Sequence, residues 1–102
     1  MSVVETLGVS ESQIAEFCRK WQIAEFSLFG SALRDDFRAD SDVDVLVSFA
    51  PDARHSLFDL VTMETELSEL FGRKVDLVER GSLVNPFRRH EILRTRKVVY
   101  AA

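Results

Sequence analysis

The stretch "LFGSALRDDFRADSDVDVLV", Leu28–Val47, decides how this chain is read. A hydrophobic run stops at Gly30-Ser31, and after ten intervening residues a valine-rich run carries Asp42 and Asp44 two positions apart. Side chains on a strand alternate between faces. On a strand Val43–Phe49, Val43, Val45, Val47 and Phe49 therefore point one way, and Asp42, Asp44, Leu46 and Ser48 the other. The valine face belongs under helices, which leaves the aspartate face open.

Working outward, "AEFSLF" (Ala24–Phe29) reads as a first strand, and Ser31–Arg34 as a helical turn. "DDFRAD" reads as a polar loop with Phe37 as its aromatic anchor. Ser10 followed by Gln13 reads as a capping box. Behind it, Ile14, Phe17, Cys18 and Trp21 fall on one helical face, so Cys18 reads as core. After Pro51, "SLFDLVTMETELSELFG" carries Leu57, Leu60, Val61, Leu67, Leu70 and Phe71 at helical spacing. Met63 fills in, and Gly72 serves as C-cap. "KVDLV" (Lys74–Val78) is a short third strand. Asn85-Pro86 opens a helix through about Arg94, and "KVVYA" reads as a last edge strand. The elements predict one α+β domain over residues 1–102, with a small mixed sheet of about four strands and helices packed on one face.

The 102 residues suit a single core, and 46% hydrophobic with 29% charged residues is a globular balance. No apolar run approaches the ~20 residues of a membrane span. The beginning "MSVVETLG" shows no signal-peptide pattern, so the expected address is cytoplasmic. One cysteine excludes an internal disulfide and a multi-cysteine zinc site. Net charge is −4, unevenly spread: residues 1–72 hold 5 Lys/Arg against 14 Asp/Glu, residues 73–102 hold 8 against 3. The basic end, with Arg88 and Arg89, suits a solvated helix or an anionic partner. His55 and His90 lack ligand spacing and read as packing or surface residues.

If the third strand neighbours the second, Asp76 joins Asp42 and Asp44 on the open face. Three crowded carboxylates raise one another's pKa unless a cation sits among them. Mg²⁺ prefers such oxygen ligands together with substrate phosphates. A two-metal site needs ions about 3.5–4 Å apart, within reach of strand residues i and i+2. Asp-x-Asp alone is a common tripeptide, and a glycine turn with a serine cap is common too. Together they place a phosphate cradle opposite a metal site, as nucleoside triphosphate chemistry requires.

Gly30, Ser31, Asp42 and Asp44, with "SDVDVLV" and Asp76 in "KVDLV", resemble the minimal nucleotidyltransferase (MNT) group of the DNA polymerase β superfamily, from about Ile23 to Tyr100. Arg34 matches the family's arginine, although Asp35 follows where many members have glycine. The resemblance implies the polymerase β-like nucleotidyltransferase fold and an antitoxin paired with a HEPN-domain toxin, an RNase. It implies transfer of AMP from ATP (AMPylation) to a tyrosine hydroxyl of that toxin, with two Mg²⁺ ions. Gly30, Ser31 and Arg34 would bind the nucleotide, and Asp42, Asp44 and Asp76 the metal, with Asp76 also accepting the attacking hydroxyl's proton. The residues themselves leave open a binder that neutralises its partner by occlusion, or a transferase acting on a small molecule or an RNA end. Membrane and direct nucleic-acid binding are not expected; a homo-oligomer and a hetero-oligomer with the toxin both remain open.

Overall fold

The structure, a computed structural model, describes residues 3–33 and 41–102. A single helical turn α1 (Val3–Thr6) precedes helix α2 (Glu11–Trp21), strand β1 (Ile23–Phe29) and a 3₁₀ turn (Gly30–Leu33). Strand β2 (Val43–Phe49), helix α3 (Leu57–Phe71), strand β3 (Val75–Glu79) and a second 3₁₀ turn (Arg80–Ser82) follow. Helix α4 (Pro86–Thr95) and strand β4 (Lys97–Ala101) complete the order. The four strands form one mixed sheet in the order β3-β2-β1-β4. β1 runs antiparallel to β2 and β4, and β2 runs parallel to β3. β4 is the edge strand that its sequence predicts.

Local chemistry sets the helix ends. Ser10 Oγ accepts the Gln13 N–H at 3.1 Å while Gln13 Oε1 accepts the Ser10 N–H at 2.9 Å. Ser56 and Asp59 repeat the device at the start of α3. Gly72 ends α3 in the left-handed conformation, φ +68°. Asn85 Oδ1 accepts from the N–H groups of Phe87 and Arg88 ahead of Pro86.

The valine face behaves as its alternation predicts. Val43, Val45 and Val47 are fully buried against Ile14, Met63 and Leu67 of α2 and α3. Cys18 is fully buried in the same core, and burial pushes its thiol up to about 12, where it is unreactive. A smaller cluster on the other face joins Phe29, Leu46, Leu83 and Ile92. Thus α4 and the second 3₁₀ turn cover Leu46 on the face opposite α2 and α3. The helices occupy both faces and not the single face expected, and the open part of that second face narrows to the aspartates.

Two further features depart from the sequence expectation. Leu57 and Val61 belong to the expected apolar stripe of α3 yet are 79% and 63% exposed. The buried side of α3 is Met63, Leu67 and Phe71, with Leu60 and Leu70 at its margins. At about 100° per residue Val61 lies about 120° around the helix from Leu67, and Leu57 is the first residue of α3. The second is α1, whose Val4 is fully buried in the main core. The loop expected over "DDFRAD", with Phe37, lies outside the described residues.

Candidate active site

Gly30 leaves β1 with φ +66°, a conformation that L side chains avoid. It faces β2 closely: a Cβ placed on Gly30 would lie 2.5 Å from Asp44 Oδ2. Ser31 continues the contact. Its hydroxyl donates to the Asp42 carbonyl at 2.9 Å and approaches Asp44 Oδ2 at 3.5 Å, and its N–H donates to the same oxygen at 3.4 Å. The Gly-Ser turn is thereby tied to Asp44 of β2 and to Asp42, the residue just before that strand.

The parallel pairing of β2 with β3 sets Asp44 directly opposite Asp76, with Val43 opposite Val75. Burial holds the Asp44 carboxyl above its ordinary value. The carboxylates of Asp76 and Asp42 push it the same way, against the Ser31 N–H and hydroxyl that stabilise the ionised form. Lys74, one residue before β3, places its ammonium 4.0 Å from Asp42 Oδ2 and 3.9 Å from Asp76 Oδ1. Sequence reasoning does not single out this lysine. Its position between the carboxylates depends on the register of two distant strands, although its place immediately before "VDL" is a usable signal.

The structure thus brings together Gly30, Ser31, Asp42, Asp44 and Asp76; Arg34 lies outside the described residues. Among the described residues no three acidic, histidine or cysteine side chains already converge on one metal-sized point. The donors are carboxylate oxygens, the ligands a hard divalent ion takes when substrate phosphates complete its shell. The residues fit Mg²⁺ on those terms. A cavity of about 470 Å³ opens beside Gly30, lined by Phe29, Leu33, Glu91, Ile92 and Thr95. A larger one, about 530 Å³, lies at the far end of β2 and β3, away from the aspartates. His55 borders it as a packing residue, 4.7 Å from the Phe49 ring and bonded through Nε2 to the Trp21 carbonyl.

A mixed four-stranded sheet thus carries a glycine turn pressed against the Asp44 carboxylate, with Asp76 opposite on the next strand. Residues 11–99 match the nucleotidyltransferase domain family. The protein adenylyltransferase MntA of Thermococcus cleftensis is 35% identical over 83 residues, 81% of this chain and 82% of that one. A solved structure described as a minimal nucleotidyltransferase superposes with a TM-score of 0.74 at 31% identity, covering 95% of each chain. A complex of tri-AMPylated Shewanella oneidensis HEPN toxin with MNT antitoxin shares the fold at 19% identity, with a TM-score of 0.65 over 90% of this chain and 70% of that one. This chain belongs to the nucleotidyltransferase domain family.

Proposed function

We propose that this chain is a Mg²⁺-dependent antitoxin that transfers AMP from ATP to a hydroxyl, a tyrosine's, of a cognate HEPN-domain toxin. The observation that carries this reading is the Gly30–Asp44 contact: a turn without a side chain pressed onto the Asp44 carboxylate, which stands opposite Asp76 of the neighbouring strand. The Thermococcus cleftensis relative, named for protein adenylyl transfer, and the Shewanella oneidensis complex with its AMPylated toxin support the choice of nucleotide and acceptor.

In this reading Gly30 and the Ser31 amide and hydroxyl hold the β- and γ-phosphates. Arg34 is assigned to the nucleotide by resemblance. Asp42 and Asp44, with Asp76, would hold Mg²⁺. When bound, the metal neutralises the triphosphate and the repelling carboxylates and aligns the reacting oxygens. The acceptor oxygen bonds to the α-phosphorus as the α–β bridging bond breaks and pyrophosphate leaves. The hydroxyl proton passes to Asp76, the strand-borne carboxylate beside the other two. Large apolar side chains left in solvent, Phe58 at 84% and Phe87 at 85% exposed, suit a chain that works against another protein.

Calorimetry of ATP binding with and without Mg²⁺ tests the site. Asp42→Asn combined with Asp44→Asn is expected to abolish the Mg²⁺-dependent part of ATP binding while the chain stays folded. Equal Mg²⁺–ATP affinity in wild type and double variant would remove the carboxylates from nucleotide binding.

A further inference from the structure

Lys74 is not used by the chemistry above, yet it stands inside the carboxylate group. Its backbone is fixed: the Lys74 carbonyl accepts the Val43 N–H at 3.0 Å, which sets the residue beside the start of β2. From there the ammonium reaches Asp42 and Asp76, one on each strand, at 4.0 and 3.9 Å. These are ion-pair separations rather than hydrogen bonds. The side chain is 68% exposed. Charge therefore holds the ammonium between two carboxylates, on a flexible stem free to leave.

Two cations cannot share that space cheaply. A divalent ion arriving alone must displace the ammonium from both carboxylates and gains no new partner for it. An ion arriving with a triphosphate brings the anion that the displaced ammonium can pair with. We infer that Lys74 is an internal counter-ion of the free site, which suppresses metal uptake in the absence of nucleotide and couples metal entry to triphosphate entry. It acts as a positioning residue through Asp42 and Asp76. This inference rests on the metal-site reading of those carboxylates and adds a rule for how the site is filled.

The test is Mn²⁺ affinity, read from the electron paramagnetic resonance of the free ion. Wild type, Lys74→Met and Lys74→Arg are compared, each with and without a non-hydrolysable ATP analogue. Without nucleotide, Lys74→Met is expected to bind Mn²⁺ about 2–10-fold more tightly than wild type, the scale of one or two exposed ion pairs. Lys74→Arg, which keeps the charge, should stay near wild type. With the analogue present, the advantage of Lys74→Met should shrink or reverse, because wild-type Lys74 then has phosphate to pair with. A purely structural lysine would change melting temperature without this nucleotide-dependent pattern. Equal or weaker nucleotide-free Mn²⁺ binding by Lys74→Met overturns the counter-ion role while leaving the metal site intact. A wild-type chain that takes up no Mn²⁺ even with the analogue overturns the metal-site reading itself.

Discussion

Asp44 stands where burial and two like charges meet, and among the described residues the Ser31 donors favour its ionised form. Its carboxyl is therefore raised in the folded chain, which holds this proton more tightly than the unfolded chain does. Between the ordinary value of 3.8 and the raised one, native stability falls as pH rises. Asp44→Asn removes the charge and keeps an oxygen for Ser31. In metal-free buffer the variant should melt above wild type at pH 7, and the difference should fade as pH falls below 3.8. A variant that melts lower at pH 7 would mean that Asp44 is stabilised in its charged form. Much of this residue-scale picture is legible in the sequence, because strand alternation alone puts Asp42 and Asp44 on one face. Gly30 is legible as a turn, but the atom nearest its missing side chain is an Asp44 oxygen, which no local pattern announces. Lys74 is less legible still, since its neighbours are chosen by strand register.

Among the elements, α2 and α3 are fastened at their solvent edge by one carboxylate. Glu66 accepts from Lys20 Nζ at 2.8 Å and from Trp21 Nε1 at 3.0 Å. The Lys20 hydrogen bond holds the Glu66 carboxyl below its ordinary value, and the Trp21 hydrogen bond acts the same way. This support is present at neutral pH and is lost as pH falls through the lowered value. Glu66→Ala should cost about 1 kcal/mol, chiefly through the indole hydrogen bond. In urea unfolding, the midpoint should drop at unchanged slope; an unmoved midpoint would show that the clamp is idle. The helix ends at Ser10, Gly72 and Asn85 are legible because caps use local residues. The α1 turn is not, because four residues give no period and its support is the burial of Val4. Leu57 and Val61 are misleading because apolar residues occupy more than one side of α3, and hydrophobic spacing cannot say which side meets the sheet.

At the scale of the whole molecule, the aspartates sit at one end of β2 and β3, while α4 closes the same sheet face over Leu46. The acidic first part of the chain and the basic last part meet at this site through Lys74, which comes from the basic part and pairs with Asp42 of the acidic one. The sheet order that makes this possible follows from a parallel β2–β3 crossover through α3. Sequence order alone does not specify that neighbourhood, although the need to bury Val43, Val45 and Val47 makes β2 interior. In the proposed reaction Asp76 would hold the metal together with Asp42 and Asp44 and would also accept the proton of a hydroxyl approaching from the open side.

The most direct measurement is the intact mass of a HEPN-domain partner after incubation with this chain, ATP and Mg²⁺, beside the Asp76→Asn variant. The account predicts that wild type adds AMP to the partner, and that Asp76→Asn still binds Mg²⁺–ATP and the partner but transfers about 10²–10⁴-fold more slowly. An unchanged rate in Asp76→Asn would contradict its role as proton acceptor. A wild-type chain that neutralises the partner without adding AMP would contradict the transfer reaction and leave occlusion as the mode of neutralisation.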